Sequence, residues 1–187
     1  MSRYTGSCSC GALEWSFTST PSSTVHCWCK ACRIAHAAPF VTWSIFPADS
    51  LRWQGRHDHL NNKGDNSSDN NSIKPLKADG ERETTGSLLR RRAGCCTRNL
   101  CADCGTPVMI TDQDVSGIIS VPTALLEVDM NAESGTSEKD RDVAKRALMP
   151  TNHIWLEDRV DWCQVPDDGL PRFERYEEKD RNDKLVK

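Results

Sequence analysis

The chain has 187 residues, and its 24 Lys and Arg against 27 Asp and Glu give a net charge of −3 at pH 7. This length predicts one domain of ordinary size, and the nearly balanced charge provides no field that would attract phosphate backbones or anionic lipid. The start "MSRYTGSCSCG" lacks the apolar stretch of a secretory signal, and no apolar run approaches the roughly 20 residues of a membrane span, so we expect a cytoplasmic protein without nucleic-acid or membrane partners.

Short alternating stretches in the first 54 residues predict β-strands. "GALEWSF" (11–17) and "PFVTWSIF" (39–46) are rich in β-branched and aromatic residues, which favour a pleated surface. In the first stretch Leu13, Trp15 and Phe17 are two positions apart and share one face. We therefore expect this face to be buried.

The composition changes abruptly from about residue 55 to residue 94. The segment "NNKGDNSSDNNS" (61–72) contains no apolar residue, which predicts a flexible, low-complexity insertion. The run "LLRRRAG" (88–94) within it is either a patch for phosphate or nucleic acid, or a solvated segment.

Strand-like patterns return after the insertion, in "RNLCADCGTPVMI" (98–110) and "SGIISVPTALL" (116–126). A short surface helix is predicted in the C-terminal half of 131–148, and aromatic and β-branched residues recur in 152–165. The charged tail, 177–187, is expected to be frayed. The sequence thus predicts a mainly β, single domain over residues 1–176.

Seven of the ten cysteines lie in three clusters, as expected for metal ligands in a reducing compartment. The clusters are Cys8 with Cys10, Cys27 with Cys29 and Cys32, and Cys101 with Cys104. Two sulfurs on one zinc ion must lie near 4 Å apart, whereas residues two apart in a strand are roughly 7 Å apart. Each short pair is therefore predicted to lie on a turn. The remaining Cys95, Cys96 and Cys163 are predicted to be ordinary thiols.

The first and last pairs are each followed directly by glycine, Gly11 and Gly105. Glycine tolerates positive φ and lets backbone NH groups point at the sulfurs. Together the two pairs predict a closed four-thiolate zinc site made by Cys8, Cys10, Cys101 and Cys104. The alternative is that Cys95 or Cys96 enters this site.

The middle cluster has three thiolates and is followed by Arg33 instead of glycine. A zinc ion on Cys27, Cys29 and Cys32 would keep one position for water or substrate, as catalytic zinc sites do. Two zinc ions per chain are therefore expected. Alternatively, His26 or His36 closes the middle site and makes it structural.

Five segments resemble, in order, the glutathione-dependent formaldehyde-activating enzyme family, which includes centromere protein V. They are "GSCSCGALEWSF", "VHCWCKACRIAHAAPFVTW", "FPADSLRW", "LCADCGTPV" and "HIWLEDRVDWCQVPDDGLPRFE". The resemblance implies a single-domain zinc-binding β-tent fold of antiparallel strands. It also implies the same four-plus-three division of the zinc ligands. Where Trp28 and Ala37 or Ala38 stand, that family often has His and Gly, so a more apolar and narrower pocket is expected.

The same resemblance implies a carbon–sulfur lyase that acts on a thiol adduct of an aldehyde or related electrophile. The partner would be a small thiol such as glutathione, or another sulfur-bearing metabolite. The alternative is a non-catalytic, zinc-stabilised binding module of the centromere protein V kind.

Several other residues are candidates for substrate contacts. Trp28, between two ligands, is predicted to form a pocket wall. Lys30 and Arg33, beside the open site, could hold a substrate carboxylate. His153 is either a general acid or base near the metal, or a hydrogen-bonded histidine at the edge of the sheet. The other tryptophans line either the core or a pocket: Trp15, Trp43, Trp53, Trp155 and Trp162.

Overall fold

The computed structural model describes residues 3–54, 80–94, 96–112, 117–129 and 138–176. Within these ranges the chain forms twelve β-strands and two α-helices. The strands are β1 (Arg3–Ser7), β2 (Glu14–Phe17), β3 (Ser23–Cys27), β4 (Val41–Pro47), β5 (Leu51–Gln54), β6 (Arg82–Thr85), β7 (Leu88–Ala93), β8 (Cys96–Cys101), β9 (Pro107–Asp112), β10 (Ile118–Pro122), β11 (Leu126–Asp129) and β12 (His153–Ile154). The helices are α1 (Lys30–His36) and α2 (Glu138–Ala147).

The strands form two sheets, which confirms the predicted mainly β class. The smaller sheet has four strands in the order β11-β1-β2-β5, and the larger has eight in the order β12-β3-β4-β10-β9-β8-β7-β6. Neighbouring strands are antiparallel except for β12, which runs parallel to β3 at the edge of the larger sheet. The last strand thus lies beside the strand that leads into the middle cysteine cluster.

The main core contains buried side chains from both sheets. Phe46 of the larger sheet stacks on Phe17 of the smaller sheet at 4.0 Å between ring centroids, and it meets the edge of Tyr4 at 5.5 Å. Leu13, Trp15 and Phe17 are all fully buried in this core, as their spacing predicted. We call the surface of the larger sheet that carries Phe46 its inner face.

A second, smaller core covers the opposite, outer face of the larger sheet. Val41 and Trp43 of β4 lie there with Val25 and Cys27 of the neighbouring strand β3. Because side chains alternate along a strand, β4 supplies one core with Val41 and Trp43 and the other with Phe46. This second core holds two sulfur-bearing residues of the middle cluster, Cys27 and Cys32.

The end of the predicted insertion is ordered, so the expectation of a flexible segment up to residue 94 was wrong for this part. Residues 82–85 and 88–93 are strands β6 and β7, which pair with each other and then with β8. Leu88, opposite Cys101, is buried in the main core and anchors the hairpin. The apolar-free segment 61–72 lies outside the described residues.

The C-terminal part of the chain contains the predicted surface helix and little strand. Helix α2 packs against β11 through the buried Ala144, whose carbonyl accepts a hydrogen bond from the Tyr4 hydroxyl. Of the strand-like 152–165 stretch, His153 and Ile154 form β12, and turns follow. Among the described residues, the helices are too short and too polar to cross a membrane.

Candidate metal centres

The four cysteines predicted to form the closed site lie together. Their sulfur atoms are all within 4.8 Å of one another. The Cys8 and Cys10 sulfurs are 3.5 Å apart, and the Cys10 and Cys101 sulfurs 3.8 Å apart. Tetrahedral zinc with bonds of about 2.3 Å requires sulfur–sulfur distances of this size. The cluster can therefore hold a metal ion, and it joins the turn after β1 of the smaller sheet to the end of β8 of the larger.

The turns of this cluster have the predicted backbone conformation. Gly11 and Gly105 have φ values of 71° and 76°, which only glycine adopts without strain. The amide of Leu13 donates to the Cys8 sulfur at 3.2 Å. Hydrogen bonds from Ser9 and Thr106 lower the pKa of the exposed Cys104 thiol to about 5. Such donors stabilise thiolates, the form in which cysteine binds metal.

The middle cluster also brings its three sulfurs within 4.8 Å of one another. Cys27 and Cys32 are buried and their sulfurs are 3.8 Å apart, whereas Cys29 is half-buried. Cys29 precedes helix α1, and its sulfur accepts a hydrogen bond from the Cys32 amide at 3.3 Å. Three sulfurs at ligand distance, one of them partly accessible, form a second group that can hold a metal.

Charge in the middle cluster concentrates on Cys29. Hydrogen bonds from the Cys27 and Cys32 thiols and the Cys32 amide, aided by the positive charge of Arg98, lower the pKa of Cys29 to about 3. The hydrogen bond that Cys27 donates to Cys29, together with burial, raises the pKa of Cys27. Without metal the cluster therefore carries a thiolate beside protonated thiols, and metal binding must release protons.

Neither histidine proposed as a fourth ligand belongs to this group in the described residues. The Nδ1 atom of His26 lies 2.8 Å from the Thr42 hydroxyl. His26 belongs to the inner face of the sheet, whereas its neighbours Val25 and Cys27 belong to the outer face. His36, the last residue of α1, meets the edge of Trp43 at 5.2 Å. Of the two alternatives for the middle site, the geometry favours the open one.

The residues beside the cluster are held by the C-terminal segment. The Asp158 carboxylate accepts a hydrogen bond from the Lys30 amide at 3.0 Å, at the start of α1. The Arg33 guanidinium donates to the carbonyls of Asp158, at 2.8 Å, and of Trp28, at 3.3 Å. Arg33 thus ties backbone segments together, while the Lys30 side chain is exposed.

Trp28 and His153 form a buried hydrogen-bonded chain with Asp168. The Trp28 indole donates to Nδ1 of His153 at 3.1 Å, and Nε2 of His153 lies 3.1 Å from the Asp168 carboxylate. Both rings are fully buried. Trp28 offers no surface to a substrate in this arrangement, so its assignment as a pocket wall was wrong. His153 matches the second alternative, a hydrogen-bonded histidine at the sheet edge.

This chain of hydrogen bonds should contribute strongly to stability. We expect His153→Ala to lower the free energy of unfolding by about 2–4 kcal/mol, because it opens a cavity and leaves the buried Trp28 donor unpaired. Urea unfolding would measure the loss. The matched control is Asn152→Ala, since the Asn152 side-chain oxygen has no hydrogen-bond donor among the described residues. Equal, small losses for both variants would contradict the expectation.

Comparison with known proteins finds a similarity in the first part of the chain. Residues 3–75 match the family described as "Glutathione-dependent formaldehyde-activating enzyme", abbreviated GFA. These residues make up less than half of the chain. A crystal structure of a Rhodobacter sphaeroides protein is 16% identical and aligns over 73% of this chain and 93% of its own, with a TM-score of 0.41. No curated protein matches the chain.

The GFA-family match covers Cys8, Cys10 and the whole middle cluster, but it ends before Cys101. The folded chain supplies the other half of the first cluster from the turn after β8. Sequence reasoning missed Arg98 and Asp158, which contact the backbone of Ala31 and Lys30 at the start of α1, and Asp168, which contacts His153. Nothing in their spacing signals a role, because each comes from a segment distant in sequence from the residue that it contacts.

The sequence allowed either a core or a pocket position for five tryptophans, and the structure shows that some are buried and others accessible. Trp15, Trp43 and Trp53 are buried in the two cores. Trp155 is half-buried, and Trp162 is 76% exposed. Of the cysteines predicted to be ordinary thiols, Cys96 is buried outside both clusters and Cys163 half-buried, while Cys95 lies outside the described residues.

Proposed function

We propose that this protein is a zinc-dependent enzyme of the carbon–sulfur lyase type, acting on a thiol adduct of an aldehyde or related electrophile. Cys8, Cys10, Cys101 and Cys104 would hold a structural zinc ion, and Cys27, Cys29 and Cys32 a catalytic one. The match of residues 3–75 to the GFA family supports a glutathione-like thiol as the substrate. A cytoplasmic location is part of the proposal, because both clusters need reduced cysteines.

The observation that carries this proposal is a three-cysteine cluster in which Cys29 is partly exposed and to which no histidine of the described residues belongs. Zinc held by three thiolates keeps one coordination position and favours the thiolate form of a thiol bound there. The chain itself buries two of the three sulfurs and leaves Cys29 accessible. The C-terminal segment fixes the start of α1 through Asp158.

The reaction needs no oxidant or further reactant. In the forming direction, a sulfur electron pair makes a bond to the carbonyl carbon, and the carbonyl π pair moves to oxygen. That oxygen takes the proton that the thiol gave up, so the product is a hydroxyalkyl thioether. Lyase turnover is the reverse, in which the carbon–sulfur bond breaks and the carbonyl forms again.

One argument for the rival function, a non-catalytic binding module, was that the arginine run could form a patch for phosphate or nucleic acid. The arginine run at 90–92 does not present three guanidinium groups to solvent on one surface. Arg90 lies on the inner face and pairs with Glu83 and Asn99, and Arg92 is buried. Arg91 alone of the run is exposed, on the outer face.

Thiol binding to cobalt-loaded protein tests the proposal. Cobalt in place of zinc should show a sulfur-to-metal absorption band that changes on adding 2-mercaptoethanol or glutathione, saturating at one thiol per chain. Zinc-loaded protein should then accelerate adduct formation or cleavage in a panel of thiols and aldehydes followed by NMR. If no thiol alters the cobalt spectrum, the site is closed and the lyase function loses its basis.

A further inference from the structure

Three arginines stand in a row across neighbouring strands of the larger sheet. The strand register pairs Arg82 of β6 with Arg91 of β7, and Arg91 with Arg98 of β8. Directly opposed residues share a face and lie about 5 Å apart at Cβ, so the three side chains rise from the outer face. We call this row the arginine ladder; with strands about 4.8 Å apart, it spans roughly 10 Å.

The ladder has no acidic partner in the described part of the chain. No ion pair joins Arg82, Arg91 or Arg98 to a carboxylate there. The acidic residue of strands β6 to β8, Glu83, alternates to the inner face, where it pairs with Arg90. Like charges directly opposite each other destabilise a sheet. The row therefore presents positive charge that no carboxylate of the described residues neutralises.

One end of the ladder reaches the middle cysteine cluster. The Arg98 guanidinium donates to the carbonyl of Ala31 at 3.2 Å, and Ala31 lies between Cys29 and Cys32 at the start of α1. Arg82 and Arg91 are exposed and Arg98 half-buried, so the ladder runs outward from the half-exposed Cys29 along an accessible surface.

We infer that the arginine ladder is the binding site for the anionic part of the thiol substrate, whose sulfur lies at Cys27, Cys29 and Cys32. This inference rests on the proposed function and names its substrate class: thiols that carry two or more carboxylate or phosphate charges within about 10 Å of the sulfur. The three-thiolate site would otherwise repel such a molecule. The ladder supplies the opposite charge beside it.

The other cations near the cluster, Arg33 and Lys30, are less suited to bind the anionic part of the substrate. The Arg33 guanidinium already donates hydrogen bonds to two backbone carbonyls. Lys30 is a single exposed ammonium at the start of α1. The planar guanidinium groups of the ladder, by contrast, can each bind a carboxylate or phosphate through two donors.

The test compares thiols of different charge on cobalt-loaded, full-length protein. We expect mercaptosuccinate and 4′-phosphopantetheine to bind about tenfold more tightly than neutral 2-mercaptoethanol, and cationic cysteamine to bind more weakly than all three. Arg91→Gln should remove most of this preference while leaving the Arg98 hydrogen bond to Ala31 in place. Arg98→Gln should remove the preference too. The two anionic thiols distinguish carboxylate from phosphate recognition.

The control is Arg146→Gln, which removes the same charge from an exposed position on α2, the helix that packs on the smaller sheet. It should keep the full preference, and metal content should be equal in all variants. If wild-type protein binds neutral and anionic thiols equally, the ladder inference is overturned while the proposed function stands. If no thiol binds, both fall. A preference lost equally in Arg146→Gln would also overturn the inference.

Discussion

Replacing Cys101 by serine should unfold or aggregate the protein. Cys101 is 1% exposed at the end of β8, and the first cluster joins this strand to the turn after β1 in the other sheet. A structural metal site contributes its binding free energy to folding, which for zinc is of the same order as the whole stability of a domain, about 5–15 kcal/mol. Circular dichroism and elemental analysis would show loss of sheet structure and of bound zinc.

The matched control for this variant is Cys163→Ser, which changes a half-buried cysteine outside both clusters. It should retain two zinc ions and near wild-type stability. A folded Cys101→Ser protein that still binds two zinc ions would show that the first cluster is not a structural metal site.

Cys29→Ser should abolish thiol binding and turnover while the fold survives. Serine is a favourable N-cap residue, so its hydroxyl can replace the sulfur as acceptor for the Cys32 amide at the start of α1. It cannot replace the thiolate that completes the three-sulfur group. We expect one zinc ion per chain in place of two, and a fall in activity of at least about 100-fold, since an open zinc site loses its function with a ligand.

The stability of this variant separates the roles of the two clusters. Urea unfolding should show a smaller loss for Cys29→Ser than for Cys101→Ser, because the second cluster lies on the outer face and does not join the two sheets. If Cys29→Ser keeps its turnover with one zinc ion left, the three-cysteine cluster is not the catalytic site.

The two turns of the first cluster were predictable because the geometry of each turn is local. A cysteine pair followed by glycine can only meet one metal on a turn, and the positive φ of Gly11 and Gly105 follows from that requirement. The burial of Leu13, Trp15 and Phe17 was equally readable, because alternation along a strand needs no knowledge of the partner strand.

The prediction was wrong or incomplete where partners come from distant segments. The pattern of 82–93 looked like part of a polar insertion because its apolar residues are few; pairing with β8 and burial of Leu88 order it nevertheless. Trp28 looked like a pocket wall because it lies between ligands. Its burial depends on β12 and Asp168, more than 120 residues further on.

The sequence by itself determined which cysteines group together, that the chain is mainly β, and that the second cluster has three sulfurs. These properties depend on residue type and short spacing, which act through local backbone geometry. Only the tertiary structure decided that His26 faces away from Cys27, that Arg33 is tied to carbonyls, and that Arg82, Arg91 and Arg98 align beside the cluster. The facing of His26 and the alignment of the arginines depend on strand order and register, because a shift of one residue would turn each side chain to the other face of the sheet. The contact of Arg33 depends on a segment more than 120 residues further along the chain.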